Sequence, residues 1–251
     1  MSPPTIPSVL SETELRAAVA EHRWYHTLEL PHGIVTPGQF DHRPVLDRYG
    51  LPADLTGQRV LDVATFDGLF AFELERRGGD VTCIDIPDVC DQDWPEPLRR
   101  GGWADNEQPR SGFEVARAAL GSSVTRKLVS VYDVADAGLE PFDFVFVGSL
   151  LLHLRDPIGA LMALRKVCCG TIMIAEETSR LLDFLLRRKP YARLVSSTPW
   201  VTWWIPNRAA LGEYLYAAGY LDVRCGATFT IPFRAQRGGV RHTVFTARAP
   251  A

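Results

Sequence analysis

Between Gly57 and Glu177 short apolar, β-rich runs alternate with segments of helical periodicity, and this alternation restricts the fold more than any other feature of the chain. RVLDVA (59–64) precedes a helix expected over about 68–77 and a second run, VTCIDI (81–86). A helix near 112–120 is followed by KLVSVYDV (127–134), FDFVFVGSLL (142–151), a helix near 157–167 and TIMIAEE (171–177). Strands separated by helices in this way are joined by crossovers, which makes them parallel neighbours in a sheet covered on both faces. The runs are continuously apolar, as strands buried on both faces should be. The expected class is therefore α/β, doubly wound. The last third differs. A helix around 207–218 ends at Gly219, a residue suited to a helix C-terminus, and LDVRCGATFTI (221–231) is linked to RHTVFTARA (241–249) by a Gly-containing loop. That pair is expected to close the sheet as antiparallel strands.

Ahead of the sheet, Ser11-Glu12-Thr13-Glu14 forms a capping box that opens a helix carrying Leu15 and Val19 at helical spacing. The Gly- and Pro-rich stretch LPHGIVTPGQFDHRP, from Leu30, cannot continue it. Residues 1–50 are expected to be a tail, a helix and a loop covering the site, and residues 51–251 the main domain, with a lid insertion at about 180–206.

The composition, 46% hydrophobic and 23% charged over 251 residues, excludes a disordered or collagen-like chain. No apolar run reaches the roughly 20 residues that cross a bilayer. The start, MSPPTIPSVLSETELR, lacks the basic region and apolar core of a secretory signal. A cytoplasmic protein with no membrane partner is expected. Cys83, Cys90, Cys168, Cys169 and Cys225 are odd in number and form no Cys-x-x-Cys pair, which argues against a disulfide scaffold and a zinc module. The net charge of −3 conceals an asymmetry: from Arg180 onward 11 Lys+Arg face 3 Asp+Glu, leaving 16 against 27 before it. Such a distribution marks either an anionic partner or a solvated basic face.

In an open α/β sheet ligands bind beyond the carboxyl ends of the strands. The first two expected strands end in acids, Asp62 and Asp85, separated by 23 residues. An interval of about 20 residues suits a carboxylate that receives ribose hydroxyls. The turn between them, Asp62-Val63-Ala64-Thr65-Phe66-Asp67-Gly68, is not the Gly-x-Gly-x-x-Gly that a diphosphate requires. Asp67 at the expected helix start repels phosphate and suits an amine-bearing ligand; its other role would be a plain helix N-cap. S-adenosylmethionine has ribose hydroxyls, an ammonium group and a sulfonium, and no phosphate. A nicotinamide-dependent dehydrogenase is disfavoured by the same turn.

VLDVATFDGLFAFELERRGGDVTCIDI, VYDV, FDFVFVGSLLLHLRDPIGAL and WWIPNRAALGEYLYAAGYLDVR resemble class I S-adenosylmethionine-dependent methyltransferases. Within them the resemblance is nearest to proteins similar to the tRNA wobble-uridine (5-oxyacetate) methyltransferases, over about residues 24–248. It implies a mostly parallel, Rossmann-like, seven-stranded sheet with an antiparallel last strand. It also implies S-adenosylmethionine as cofactor and S-adenosylhomocysteine as product. By the same resemblance Asp62 and Gly68 match the ends of the first motif, and Asp85, followed by Ile86, the ribose-binding acid. Asp133, with Tyr132 and Val134 beside it, matches the position near the adenine, and Gly148 to His153, Ser149 included, the segment facing the methyl group. Ala64 and Phe66 replace glycines usual in the first motif, where their side chains would crowd or stack on the methionine end of the cofactor.

The wobble-uridine enzymes use a carboxylated cofactor, gripped by a lysine before the core domain and a tyrosine just before the histidine of the fourth-strand motif. The matching places here hold His32 or a neighbour, and Leu152 before His153. Plain methyl transfer to an oxygen or nitrogen of a small-molecule acceptor in a biosynthetic reaction is therefore expected ahead of tRNA modification. A protein of this fold that binds the cofactor without transferring is the third alternative.

Methyl transfer from a sulfonium needs the acceptor held in line, and a base where the acceptor is a hydroxyl. His153 at a strand end and His26, within Trp24-Tyr25-His26, are the candidate bases. Trp24, Tyr25 and Glu176 are candidates for contact with the acceptor. Trp200, Trp203 and Trp204, between the basic run RRKPYAR (187–193) and the last helix, are candidates for the wall or lid of an acceptor pocket. Arg187, Arg188 and Lys189 either steer an anionic substrate or keep the loop wet. His22 and His26 stand four apart near Glu29, but no third ligand at a set spacing accompanies them and no metal is expected.

Overall fold

The computed structural model describes residues 10–102, 111–196 and 201–250. Its main sheet has seven strands: β1 (Arg59–Val63), β2 (Asp80–Asp85), β3 (Thr125–Leu128), β4 (Phe142–Gly148), β5 (Cys168–Glu177), β6 (Leu221–Pro232) and β7 (Gly239–Arg248). They lie in the order β6-β7-β5-β4-β1-β2-β3. β1 pairs in parallel with β2 and β4, β2 with β3, and β4 with β5, while β7 is antiparallel to both β5 and β6. The chain thus builds outward from β1 to β3, then crosses back to β4. This reversal opens a crevice at the carboxyl ends of β1 and β4.

Alternation along the strands feeds two cores. Leu61, Val63, Val145, Val147, Ile172, Ile174 and Phe245 face α5 (Pro157–Val167) and α7 (Arg208–Ala217). Val60, Phe144, Phe146, Met173 and Val244 face α2 (Leu69–Arg76), α4 (Phe113–Leu120) and the segment after α1 (Glu12–Glu21). Each fully buried Leu or Phe among them contributes about 1.5–3 kcal/mol. A short α3 (Glu96–Arg100) precedes α4. Local signals set the helix ends. The Ser11–Glu14 capping box is formed, and the Asp156 carboxylate accepts from Gly159 N at 2.8 Å ahead of a helix with Pro157 in its first turn.

Two runs differ from the sequence expectation. KLVSVYDV is strand only as far as Leu128; the Ser130 hydroxyl accepts from Tyr132 N and starts a 3-10 turn over Val131–Asp136. Its β-forming residues are bent away because the edge strand β3 ends there. FDFVFVGSLL ends as a strand at Gly148, since Ser149 takes a left-handed φ of 54° and Leu151–His153 form a second 3-10 turn.

The segment after α1 is stitched to the sheet. His26 bridges Phe40, Phe40 bridges Phe233 beyond β6, and Glu29–Leu30 pair with Ile34–Val35. On the far side of the crevice, α6 (Arg180–Leu185) and a small ladder of Ala192–Leu194 with Trp204–Pro206 form the insertion. Among the described residues no helix is long and apolar enough to cross a membrane.

Candidate functional site

The loop after β1 is wound tightly at the mouth of the crevice. Ala64 N and Thr65 N both donate to Ile84 O, at 2.9 and 3.2 Å. Ala64 and Phe66 have φ values of 60° and 50°, in the left-handed region where an L-residue costs about 1–2 kcal/mol. The loop therefore keeps a glycine-type conformation without the glycines. What holds it is Asp85: Oδ2 accepts from Phe66 N at 3.0 Å and Oδ1 from Ile86 N at 2.9 Å. Gly68 is required, since its φ is 92° and a Cβ there would lie 2.4 Å from the Phe72 ring.

The acids of this region have three different fates. Asp62 is buried at 2% exposure, and its Oδ2 has no hydrogen-bond partner among the described residues. Burial pushes its carboxyl up to about 7. Asp85 is also raised by burial, against the opposing charge of Arg126, whose Nη2 stands 3.1 Å from Oδ2. Arg126 lies in turn over the Phe113 ring at 4.8 Å. Asp67 differs from both expectations made for it. The N-cap of α2 is Gly68, and the fully buried Asp67 carboxylate accepts from Tyr25 N at 2.7 Å and His26 N at 2.8 Å, and pairs with His26 Nδ1. Its acceptors are consumed in anchoring the N-terminal segment.

Across the crevice the end of β4 meets the end of β7. Ser149 Oγ stands 2.7 Å from His242 Nε2, and His242 Nδ1 stands 3.2 Å from Val240 O. A carbonyl only accepts, so Nδ1 carries the proton and Nε2 receives the Ser149 hydroxyl. Burial lowers His242 to about 4, which keeps it neutral. The Tyr25 phenol is raised by burial and by the charges of Asp67, Glu176 and Glu177. Glu176 Oε1 accepts from Leu150 N and Leu151 N at 2.9 and 3.0 Å. Its Oε2 is buried with no partner among the described residues, and burial pushes the carboxyl up to about 8. His153 is half-buried at the end of the same turn, with Nδ1 donating to Val201 O at 3.0 Å.

The remaining candidates divide. Gly148 is tight, since a Cβ would lie 2.9 Å from the Phe146 ring. Tyr132 OH donates to Asp93 Oδ2 at 2.6 Å, Asp133 is exposed beside it and Val134 is buried. Trp203 Nε1 donates to Asp93 O at 2.6 Å and Trp204 Nε1 to Arg155 O at 3.1 Å, so both indoles tie the insertion to the turns beyond β2 and β4. Trp24 is a core residue: it is buried, donates to Val19 O at 2.9 Å and packs where a Cβ on Gly112 would be 2.3 Å away. Trp200 lies outside the described residues. Arg187 and Arg188 line a cavity of about 670 Å³ with α7 and β6, and not the crevice. His22 Nδ1 bonds Ala18 O, apart from the His26–Asp67 pair, and among the described residues no group of three or more His, Cys, Asp or Glu is placed to hold a metal ion. His242, Arg126 and Asp93 carried no signal in the sequence, because each acts on a residue at least 39 positions away.

No family model matches the chain. It is 25% identical over 192 residues to a tRNA U34 carboxymethyltransferase of Pseudomonas fluorescens (strain SBW25), covering 74% of this chain and 52% of that protein. It is 33% identical over 150 residues to a magnesium-protoporphyrin O-methyltransferase of Rhodobacter capsulatus, covering 57% and 56%. The chain thus spans about half the length of the curated relatives it matches. Among solved structures, the N-terminal domain of EvdMO1, crystallised in the presence of SAH and D-fucose, superposes with a TM-score of 0.62 at 21% identity, covering 98% of this chain and all of that one. Strand order, the reversed β7 and this superposition together show that the chain has the class I S-adenosylmethionine-dependent methyltransferase fold.

Proposed function

We propose that the chain is an S-adenosylmethionine-dependent methyltransferase acting on an oxygen or nitrogen of a small-molecule acceptor in a biosynthetic reaction. The observation that carries this reading is the unpartnered, buried Asp62 Oδ2 at the carboxyl end of β1, beside a loop pinned by Asp85. A buried carboxylate oxygen left without a hydrogen bond is costly unless a donor or cation reaches it, and the ammonium group of the cofactor is such a cation. Asp85 keeps acceptor capacity for ribose hydroxyls, Ile86 follows it, and the adenine is assigned to Tyr132, Asp133 and Val134. Acids at Asp62 and Asp85 disfavour a phosphate-bearing ligand. When bound, the cofactor supplies an electrophilic methyl group on sulfur.

The chain's own residues then orient the acceptor and take its proton. We assign the proton to His153, at the end of the turn after β4, where its Nδ1 bonds Val201 O. His26 is instead enclosed by the rings of Tyr25, His42 and Phe70 and held by Asp67, which suits a clamp for the N-terminal segment over the loop. In this reading Tyr25 and Ser149, backed by His242, and the Glu176 carboxyl offer hydrogen bonds to the acceptor, and Trp203 and Trp204 are assigned to the wall of its pocket.

Likeness to the tRNA U34 carboxymethyltransferases favours tRNA modification as a second reading. Against it, Leu152 stands buried where the tyrosine of a carboxylate clamp is expected. Binding to tRNA that weakens steeply with salt would support that second reading. A cytoplasmic setting belongs to the proposal and is supported by five free cysteines. The test is incubation with methyl-labelled cofactor and small-molecule extracts, read by mass spectrometry. Transfer of label to a small molecule is expected, and transfer to tRNA alone would overturn the acceptor class.

A further inference from the structure

A second cavity, of about 430 Å³, opens where β5 ends, between the insertion ladder and the β6–β7 hairpin. Three guanidinium groups line it, Arg180, Arg193 and Arg241, against one carboxylate, Glu177. We propose that this cavity binds an oxyanion, a phosphate or carboxylate, carried by the methyl acceptor. The proposal rests on the methyltransferase reading for the word acceptor, and on the cavity alone for the anion.

The charges are not equivalent. Arg241 is fixed: its Nη1 stands 2.7 Å from Asp183 Oδ2 and donates to Thr178 Oγ1 at 2.7 Å, so its charge is largely offset and its place is set. Arg180 and Arg193 have no acidic partner within salt-bridge distance among the described residues. Glu177 faces Arg193, but burial raises its carboxyl against that charge. The cavity therefore keeps an excess of positive charge, and a guanidinium fork matches the paired oxygens of phosphate or carboxylate. A cationic group would be repelled there, and a neutral one would leave the two arginines unanswered.

Position links this charge to the transfer site. Arg241 lines the cavity, while the next residue on β7, His242, turns to the opposite face and holds Ser149. On β5, Glu177 lines the cavity and is the register partner of His242, while Glu176 holds the turn after β4 through Leu150 N and Leu151 N. One pair of adjacent strands thus presents the anion site and the end of the crevice within a single residue of each other. An acceptor with its reacting atom at Tyr25 and Ser149 reaches the arginines by passing over the end of β5. The larger cavity at Arg187 and Arg188 has a different lining, which includes Glu213 and Asp222, so it serves as the control.

Calorimetric titration at low salt, where exposed charges are least screened, tests the proposal with pyrophosphate, inorganic phosphate and malonate as probes and S-adenosylhomocysteine in a separate titration. Saturable 1:1 binding of at least one probe is expected, weakened about tenfold or more by Arg193→Ala and by Arg180→Ala with Arg193→Ala, and within about threefold of wild type in Arg193→Lys. Arg187→Ala with Arg188→Ala should leave it unchanged. Tighter binding of the phosphates than of malonate identifies a phosphorylated acceptor, and the reverse a carboxylated one. No saturable binding, or equal binding in the Arg193→Ala variant, overturns the proposal. If S-adenosylhomocysteine binds and no anion does, the anion site fails and the methyltransferase reading stands; the converse result fails that reading and leaves the site.

Discussion

The Ser149 hydroxyl at the end of β4 donates to His242 Nε2 on β7 across 2.7 Å, joining residues 93 positions apart in the chain. The bond ties the end of β4 to β7 and holds the turn in which Ser149 takes a φ of 54°.

Because His242 is lowered to about 4 in the fold against an ordinary value near 6.5, the unfolded chain takes up this proton first as pH falls. Its contribution to stability is present above about pH 6.5 and is lost on the way down to pH 4. Between pH 7 and pH 5 the loss is about 2 kcal/mol. Urea denaturation at the two pH values should show a smaller fall in His242→Gln than in wild type; equal falls would mean that His242 is not a buried neutral ring.

The loop after β1 separates strain from necessity. Ala64→Gly relieves a left-handed φ and should stabilise by up to about 1 kcal/mol, or leave stability unchanged where chain entropy offsets the relief. Gly68→Ala combines a φ of 92° with a collision against the Phe72 ring and should cost about 2 kcal/mol or more. Denaturation midpoints of the two variants check the pair.

Asp67 gathers two backbone donors and the His26 ring in a fully buried place. Removing the carboxylate leaves those donors unanswered, so Asp67→Ala should cost about 3 kcal/mol or more. Hydrogen exchange should show the loss concentrated at Tyr25 and His26. A uniform loosening of the whole chain would contradict the clamp.

These relationships also mark how far the sequence was legible. The alternating runs apart from the ends of β3 and β4, the Ser11 capping box, the acids at Asp62 and Asp85 and the closing antiparallel pair follow from local pattern and stand in the fold where the pattern put them. The end of β3 did not, because Val131, Tyr132 and Val134 have strand propensity while Ser130 caps a turn. Trp24 looked like a ligand contact because an aromatic run beside a loop has no visible neighbours in sequence; its partners are Val19 O and the backbone at Gly112. His242, Arg126 and the Arg180, Arg193 and Arg241 cavity arise only when distant strands pair. Such pairings carry no periodic signature.

In the proposed reaction one proton passes from the acceptor to His153. With an acceptor found by labelled-cofactor profiling, His153→Ala should lower kcat by about 10²–10⁴-fold while cofactor affinity stays within about threefold. The wild-type acidic limb of the kcat–pH profile should vanish in the variant. An unchanged kcat would mean that the acceptor needs no base or that another group supplies it.

The most direct measurement is calorimetric titration of S-adenosylmethionine into wild type, Asp62→Asn and Asp85→Ala at pH 8 and pH 6. With the Asp62 carboxyl near 7 in the free protein and ionised when an ammonium group docks on it, wild-type affinity should fall about tenfold between the two pH values. Asp62→Asn should bind weakly and without that pH dependence, and Asp85→Ala should lose detectable binding. No binding by wild type at either pH, or binding undiminished in Asp85→Ala, would contradict the account.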